Sequence, residues 1–227
     1  MRVPSKVKLA VFDCDGTLVD SQHAINSCMT DAFIHVGLQP PPISRVRRVV
    51  GLPLAQAIEM LADEENAPIP TMVEAYSVSW QRMRSGGDLD EPVFEGTHDL
   101  LKDLKAGDWT LGVATGKSMR GLEATLAHHG LGRFFSTLQT ADRAKGKPDP
   151  EMLELAMVET DAAPSETVMI GDTTYDIEMA ANAGVRALGV AWGYHAPKDL
   201  MAAGAEMVAE TVADLNRYLK SLEERSS

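Results

Sequence analysis

Cysteine is scarce in this 227-residue chain, which contains only Cys14 and Cys28. Two cysteines cannot build the disulfide framework that is typical of small secreted domains. Long apolar runs are absent as well, since no stretch approaches the roughly 20 apolar residues that a helix needs to cross a bilayer. The first apolar run stops at Asp13, which argues against a signal peptide. The sequence therefore predicts a globular protein of the cytoplasm.

Basic residues are fewer than acidic ones, with 21 lysines and arginines against 33 aspartates and glutamates, and the formal net charge is −12. This charge repels nucleic acid and anionic membranes, so neither is an expected partner. It would also repel a phosphorylated substrate unless lysines, arginines or a metal ion gather at the binding site. Apolar residues make up 44% of the chain, enough for one large domain or a core domain with a smaller companion.

One polar turn resembles a nucleotide-binding loop but does not complete it. Residues 111–123 read LGVATGKSMRGLE. A P-loop needs four residues between its first glycine and the Gly-Lys-Ser sequence, whereas Gly112 and Gly116 enclose only three. A polyphosphate site is therefore not expected, and the turn after this predicted strand needs another explanation.

Short apolar runs alternate with helical patterns along most of the chain. Strands are predicted at residues 7–12, 109–114, 167–170 and 185–191, with weaker candidates near 136–140 and 206–209. Helices are predicted at residues 97–106, 150–159 and 174–183. This alternation predicts an α/β fold with a Rossmann-like parallel sheet that helices cover on both faces.

Residues 18–86 differ, because they contain helical patterns and no convincing strand. Apolar residues follow helical spacing over 25–36 and again over 54–61. Thr71 and Glu74 fit a capping box at the start of a third helix. An all-helical block between two strands of an α/β sheet predicts an inserted helical domain.

The predicted division of the chain follows from this block. Residues 18–86 form the cap domain, and residues 1–17 and 87–227 form the α/β core domain. The two connections are expected near residues 16–20 and 85–92, where glycine and proline suit a hinge.

Polar residues cluster where the predicted strands end, which is where open α/β sheets bind their ligands. The clusters comprise Asp13 and Asp15 after the first strand, Thr115 and Gly116 after the second, Lys147 before the helix at 150–159, and Asp172 and Asp176 after the strand at 167–170. The sheet would bring these groups into one cleft.

Crowded carboxylates need a cation, because like charges raise one another's pKa. Asp13, Asp15 and Asp172 offer only oxygen ligands, without a histidine or cysteine cluster, and such ligands favour a hard cation such as Mg²⁺. Magnesium usually keeps positions for water and for a substrate phosphate. The sequence therefore predicts a phosphate site whose positive charge comes from Mg²⁺ and lysine.

Four stretches carry a family resemblance. DCDGTLVDS, VATG, KGKPDPEM and GDTTYD, in this order, resemble the four motifs of the haloacid dehalogenase-like (HAD) hydrolase superfamily. The helical insertion after the first motif is similar to the branch that holds phosphoglycolate phosphatases, β-phosphoglucomutases and related small-molecule phosphatases. The resemblance covers nearly the whole chain and implies an enzyme with a helical cap.

The resemblance implies a role for each motif in phosphoryl transfer. Asp13 would attack phosphorus and form an aspartyl-phosphate. Asp15 would protonate the leaving oxygen and later activate the hydrolytic water. Thr115 and Gly116 would bind phosphoryl oxygens, and Lys147 would stabilise the charge on Asp13 and the phosphate.

The resemblance also implies the metal ligands. The side chains of Asp13 and Asp172 and the backbone carbonyl of Asp15 would hold Mg²⁺, and Asp176 would orient ligands or water around it. Lys145 is a rival for the cationic role, but Lys147 matches the family motif.

Several functions stay open at this point. The leading hypothesis is a magnesium-dependent phosphatase for a small phosphomonoester resembling phosphoglycolate. The alternatives are β-phosphoglucomutase-like transfer, pyrophosphate hydrolysis and a non-catalytic binding protein with this fold. A dehalogenase is disfavoured because it would need neither a metal nor an acid at Asp15. A phosphonate-cleaving relative would use a cap lysine, and residues 18–86 contain none.

Three arginines of the predicted cap have a weaker claim to function. Arg45, Arg47 and Arg48 are interpreted as a solvated helix face. The alternative is that one of them contacts a substrate carboxylate or a second phosphate across the cleft.

Overall fold

The computed structural model describes residues 9–64, 66–107 and 109–225, and its six strands form one parallel sheet. They are β1 (Leu9–Phe12), β2 (Thr110–Thr115), β3 (Thr137–Thr140), β4 (Thr167–Gly171), β5 (Arg186–Val190) and β6 (Met207–Ala209). Their order across the sheet is β3-β2-β1-β4-β5-β6. The order reverses between β1 and β4, which is the position where such sheets bind ligands.

Helices fill the segments between the strands. The segment between β1 and β2 contains α1 (Gln22–His35), α2 (Ile43–Val46), α3 (Leu54–Leu61), α4 (Ile69–Gly86) and α5 (Thr97–Ala106). Later segments contain α6 (Met119–His128), α7 (Glu151–Thr160), α8 (Thr174–Ala183), α9 (Pro197–Ala203) and α10 (Val212–Arg225). Within the described residues, no helix combines the length and the apolar character needed to cross a membrane.

Both faces of the sheet are buried, which explains why its strands read as continuous apolar runs. Ala10 and Phe12 of β1 pack into a cluster with residues of α5, α6 and α10. Leu9 and Val11, on the opposite face, pack with residues of α7, α8 and α9. The α/β sheet that the sequence predicts is therefore confirmed.

A third apolar cluster lies among α1 to α4, and nearly all its buried members come from this helical segment. They are Ile25, Met29, Ala32, Phe33, Val46, Val49, Val50, Leu52, Ala57, Ile58, Leu61 and Met72, together with Tyr194 from the loop after β5. The helical segment thus buries most of its apolar side chains against one another, and among the described residues Tyr194 is the one buried member of this cluster from outside the segment.

The predicted elements are present with small shifts at their ends. Helices α5 and α8 have the predicted bounds, and the strands differ by one or two residues. Residues 7 and 8 of the first predicted strand lie outside the described residues.

The predicted capping box is wrong. Helix α4 begins at Ile69 after Pro68, without a side-chain cap, so that Thr71 lies inside the first turn. Prolines suit this position, because the first turn leaves its N–H groups unpaired and proline fixes φ near the helical value. Pro68 and Pro70 therefore set the start of the helix three residues earlier than expected.

Candidate active site

Asp13 directly follows β1, the central strand, and its backbone N–H donates to the carbonyl of Ile170 at 2.9 Å. Its side chain is buried, and Oδ1 lies 2.8 Å from Nζ of Lys147. The same oxygen accepts the backbone N–H of Cys14 at 2.6 Å. Oδ2 is buried and has no hydrogen-bond partner among the described residues. One oxygen of this carboxylate is therefore fixed and the other is unpaired.

Lys147 bridges two carboxylates. Its Nζ lies 2.8 Å from Asp13 and 2.7 Å from Oδ1 of Asp176, and all three side chains are at most 1% exposed. Asp176 is held in turn by Thr173, whose backbone N–H and hydroxyl donate to Oδ2 at 3.0 and 2.7 Å in a capping box at the start of α8. Burial alone would lower the pKa of Lys147. Asp13 and Asp176 raise the pKa by more than burial lowers it, so it lies well above its ordinary value. The lysine therefore stays charged.

Asp172 follows β4 and is fixed by both of its oxygens. Oδ1 accepts the hydroxyl of Thr17 at 2.8 Å, and Oδ2 accepts the backbone N–H of Tyr194 at 2.8 Å. Gly16 passes very close to it with φ of +86°, and a Cβ there would lie 2.3 Å from Oδ2 of Asp172. The positive φ and this close approach explain why the position needs glycine.

These four residues, Asp13, Lys147, Asp172 and Asp176, are called the Asp13 cluster below. Its three carboxylates offer ligand atoms within 4.8 Å of one another, with one lysine to balance them. Burial raises the pKa of Asp13 to about 7, and it raises the pKa of Asp172 well above its usual range, with Asp13 and Asp176 adding to the effect. A divalent cation would remove this charge imbalance, and the oxygen-only donor set suits a hard ion.

Asp15 lies in a different setting, although only one residue separates it from Asp13. Its Oδ1 is 2.9 Å from Nζ of Lys117, which is also 2.9 Å from Oε1 of Glu91. The hydroxyl of Ser21 donates to Asp15 and lies 3.1 Å from Glu91. Thr125 donates to the second oxygen of Glu91 at 3.0 Å. Asp15, Glu91 and Lys117 are called the Lys117 cluster below.

In the Lys117 cluster one lysine faces two carboxylates, and the nearby Arg84 supplies the second positive charge. Burial lowers the pKa of Lys117, but Asp15 and Glu91 raise it far above its ordinary value. Burial raises the pKa of Glu91, yet Lys117 and hydrogen bonds hold it below its ordinary value. The guanidinium of Arg84 lies a further 3.7 Å from Glu91, and the ring of Trp80 covers Lys117 with its centroid 4.5 Å from Nζ.

Thr115 and Gly116 lie where the sequence predicts, at the carboxyl end of β2. Thr115 is buried, and its hydroxyl oxygen accepts the backbone N–H of Lys117 at 3.3 Å. Both residues line the same cavity as Asp13 and Asp15. The structure therefore brings four of the predicted residues to one surface, with the other members of the Asp13 cluster buried beside them.

The loop at residues 51–53 packs on two glycines of the sheet side. A Cβ on Gly116 would lie 2.7 Å from the carbonyl oxygen of Leu52. A Cβ on Gly146 would lie 2.1 Å from Cγ of Pro53. The absence of side chains at these glycines thus allows the helical segment to approach the carboxyl ends of the strands.

The cavity between the helical segment and the strand ends has a volume of about 890 Å³. Asp13, Asp15, Thr115 and Lys117 line its floor on the sheet side, and residues of α1, α3 and α4 line the opposite side. This volume lies in the range of about 300–1,000 Å³ that is usual for small-molecule sites.

Comparison with known proteins agrees with this architecture. A family model described as haloacid dehalogenase-like hydrolase matches residues 10–190. The chain belongs to the haloacid dehalogenase-like hydrolase family. It is 35% identical to the Dickeya dadantii protein named "Probable phosphatase IndB", over 91% of each chain.

Two further relatives of this HAD-like hydrolase carry more specific names. Pyrophosphatase PpaX of Bacillus velezensis is 30% identical, over 92% of this chain and 95% of the relative. Phosphoglycolate phosphatase 1 of Pseudomonas aeruginosa is 29% identical, over 92% of this chain and 78% of the relative. The crystal structure of a predicted phosphatase from Clostridium acetobutylicum has the same fold, with a TM-score of 0.86, 24% identity and coverage of 96% and 100% of the two chains.

The three cap arginines singled out from the sequence lie outside the cavity lining. Arg45 pairs with Asp63 at 2.6 Å, and Arg47 donates to the carbonyls of Gly193 and Tyr194 at 2.9 and 3.0 Å. Neither of them, nor Arg48, lines the cavity among the described residues. Arg47 instead joins the helical segment to the loop that holds Asp172.

Sequence reasoning missed the Lys117 cluster of this HAD-like hydrolase. Lys117 was part of a rejected P-loop pattern, and Glu91 lay in a segment expected to be a hinge. The two residues are 26 positions apart, and no local pattern pairs them. The one sequence feature that indicates this cluster is a lysine two residues after Thr115 to which the family motif assigns no role.

Proposed function

We propose that this HAD-like hydrolase is a magnesium-dependent phosphatase that acts on a small phosphomonoester through an aspartyl-phosphate on Asp13. The Asp13 carboxylate carries the proposal. Lys147 and the backbone N–H of Cys14 fix one of its oxygens, while the other is buried and unpaired. A carboxylate held in this way is preorganised to attack a phosphorus atom in line.

The charge imbalance of the Asp13 cluster supports Mg²⁺ as the cofactor. The side chains of Asp13 and Asp172 and the backbone carbonyl of Asp15 would hold the ion. Asp176, which contacts Lys147 and Thr173, would act from outside this ligand set. When bound, the ion supplies positive charge that offsets the negative phosphoryl oxygens.

Three further groups of the chain would bind the transferring phosphoryl group. Lys147 is charged and touches the nucleophile, so it would offset charge that builds up on the phosphoryl oxygens. Thr115 would donate its hydroxyl, and Gly116 would donate its backbone N–H near the start of a helix, where anions are favoured.

Asp15 would act as the general acid in the first step and as the general base in the second. As Asp13 bonds to phosphorus, the bond from phosphorus to the leaving oxygen breaks, and protonated Asp15 would give its proton to that oxygen. Ionised Asp15 would then take a proton from the water that attacks the aspartyl-phosphate, releasing inorganic phosphate and Asp13. Its place on the cavity surface supports this role.

The helical segment would close the site against water. We assign residues 18–86 to a cap domain and residues 1–17 and 87–227 to the core domain. The separate apolar cluster of the helical segment supports this division, as does Gly87 with φ of +80° at the end of α4. Exclusion of water protects the phosphorylated intermediate and strengthens electrostatic interactions with it.

Pyrophosphate hydrolysis is a second candidate, supported by the relative from Bacillus velezensis that is named a pyrophosphatase. The relative from Pseudomonas aeruginosa supports phosphoglycolate as a substrate to be tested. Phosphoryl transfer of the mutase type, a small phosphorylated metabolite as the partner and a cytoplasmic location stay predictions.

The experiment measures phosphate release by the purified chain from p-nitrophenyl phosphate, phosphoglycolate and pyrophosphate, with Mg²⁺ or with EDTA. We expect turnover that needs Mg²⁺ and disappears in Asp13→Asn. Asp161→Asn, at an exposed aspartate, is the matched control and should keep full activity. A folded protein that releases no phosphate from any of these compounds with Mg²⁺ would refute the proposal.

A further inference from the structure

The wall of the cavity next to Asp15 is aromatic. Tyr76 and Trp80 lie one turn apart on α4 and stack with ring centroids 5.9 Å apart and an interplanar angle of 20°. The Trp80 ring also contacts Nζ of Lys117, which is bonded to Asp15. Both rings line the cavity. The ring pair therefore borders the carboxylate that would protonate the leaving oxygen.

The rest of the helical side of the cavity is mainly apolar. Its lining residues include Ile25, Met29, Val46, Val50, Leu54 and Val73. Apolar side chains favour the burial of an apolar group and make the burial of an unpaired charge costly. A leaving group that fills this space gains most if it is itself apolar.

The cations near the leaving group are already paired. Lys117 has carboxylate oxygens of Asp15 and Glu91 at 2.9 Å and the Trp80 ring on another side. Arg84 lies 3.7 Å from the same Glu91, and Arg82 pairs with Asp31 at 2.8 Å. A carboxylate or phosphate close to the ester oxygen would have to compete with these partners for a counterion.

Arg120 is the exception among the cavity-lining cations. It is exposed near the start of α6 and pairs with no carboxylate in the part of the chain that the structure describes. An anionic group of a substrate could reach it only at a distance from the Lys117 cluster. Substitution of Arg120 therefore tests whether the natural leaving group is anionic.

The size of the cavity also favours a bulky group. Its volume is about 890 Å³ in a structure where the loop at 51–53 packs against Gly116 and Gly146. The two-carbon leaving group of phosphoglycolate would leave most of this space to water. Pockets of this volume usually hold ligands of drug size.

We infer that the natural leaving group carries a planar, uncharged ring close to its ester oxygen, and that this ring lies against Tyr76 and Trp80. The substrate class is then the monophosphate ester of a ring compound, and phosphoglycolate and pyrophosphate are poor substrates. This inference rests on the proposed phosphatase function.

The experiment compares 1-naphthyl phosphate with phosphoglycolate, with Mg²⁺, in the wild type and in Tyr76→Leu. Because the two esters differ in intrinsic reactivity, the quantity compared is the ratio of variant to wild-type kcat/KM for each substrate. We expect Tyr76→Leu to lower kcat/KM for the naphthyl ester about tenfold more than for phosphoglycolate, because ring stacking is lost. Tyr76→Phe keeps the ring and should restore most of this loss.

Two controls separate the possible failures. Thr71→Ala, exposed on the same helix and outside the cavity, should change neither ratio. If Tyr76→Leu does not fold, as judged from its melting transition, Trp80→Leu takes its place with the same expected difference between substrates.

Several outcomes would overturn the inference. They are a higher wild-type kcat/KM for phosphoglycolate than for the naphthyl ester, equal losses for both esters in the leucine variant, or a loss specific to phosphoglycolate in Arg120→Met or Tyr76→Phe. Each leaves the proposed phosphatase in place. Only the absence of magnesium-dependent phosphate release from every ester would defeat the proposed function as well.

Discussion

Lys147 and Lys117 are both buried beside carboxylates at the end of β1, yet their surroundings differ in charge. Lys147 in the Asp13 cluster faces a surplus of carboxylates, since three of them offer ligand atoms within 4.8 Å of one another. Lys117 faces Asp15 and Glu91, and Arg84 adds a second cation beside Glu91. The first cluster is short of positive charge, while the second, with Arg84 counted, has as many cations as carboxylates.

This difference separates two tasks within one cavity. The Asp13 cluster, short of positive charge, is suited to a metal ion and a phosphoryl group. The Lys117 cluster already has its counterions, so it can hold a charged acid–base residue next to an apolar wall without attracting further ions. The charge of the substrate is thus expected at the first cluster and its uncharged part at the second.

The comparison would break most strongly at Asp13, the proposed nucleophile. Asp13→Asn removes the attacking oxygen but keeps the size of the side chain, so we expect kcat to fall by about 10⁴-fold or more. Phosphate release under Mg²⁺ saturation measures it. A residual rate above a hundredth of the wild-type rate, in protein with an unchanged circular dichroism spectrum, would contradict a covalent role for Asp13.

The pairing of charges within the Lys117 cluster should contribute to the free energy of unfolding. Lys117→Met leaves Asp15 and Glu91 buried without their cation, and we expect a loss of about 3–5 kcal/mol in the free energy of unfolding. Urea denaturation measures this loss, and adding Glu91→Gln should restore part of it. Lys102→Met, which breaks an exposed pair with Asp99, should cost only about 0–1 kcal/mol. Equal costs at the two lysines would refute the balanced pairing.

Both clusters depend on the approach of the loop at 51–53. Gly146→Ala would place a Cβ 2.1 Å from Pro53, and overpacking of this kind costs about 1–3 kcal/mol. We expect kcat/KM to fall roughly 5- to 150-fold, with recovery in the double variant Gly146→Ala, Pro53→Ala. Steady-state kinetics of the two single variants and the double variant test this. Additive losses would show that the contact with Pro53 is not the cause.

The last prediction concerns the pH dependence of stability without metal. The raised pKa of Asp13, about 7 against 3.8 in the unfolded chain, means that folding favours the protonated acid. Its stabilising effect is fully present below about pH 4 and is lost as the pH rises through about 7. In EDTA, the unfolding free energy of the wild type relative to Asp13→Asn should therefore fall across this window.

The slope of this decline cannot exceed about 1.4 kcal/mol per pH unit for one proton. Chemical denaturation at several pH values measures it, and subtraction of Asp13→Asn removes the contributions of other titrating groups. Added Mg²⁺ should reduce the decline, because the ion stabilises the ionised carboxylate. A relative stability that rises with pH would contradict the raised pKa.

The α/β fold could be predicted from sequence because burial on both faces leaves a local signal. Strands such as β1 and β4 are continuous apolar runs, and α5 and α8 end where glycine follows. The start of α4 could not be predicted in the same way. Thr71 and Glu74 have the spacing of a capping box, but Pro68 and Pro70 start the helix three residues earlier.

The candidate site likewise has one part that the sequence predicts and one part that it does not. Each member of the Asp13 cluster follows a strand, precedes a helix or lies in the first turn of one, so that position in the fold predicts its neighbours. The Lys117 cluster depends on side chains of Glu91, Thr125 and Trp80 that reach across from three segments. Whether these side chains come into contact depends on the position of α4 relative to the sheet. No local sequence spacing encodes that position.

The bond between Thr17 and Asp172 spans 155 positions of the chain. During synthesis, the ribosome releases β1 early, whereas Asp172 and the loop at Tyr194 that holds it emerge much later. A nascent chain that ends before this loop carries Asp13 without a fixed Asp172 beside it. Under the proposed mechanism, such a chain lacks a complete metal site and hydrolyses no phosphate ester.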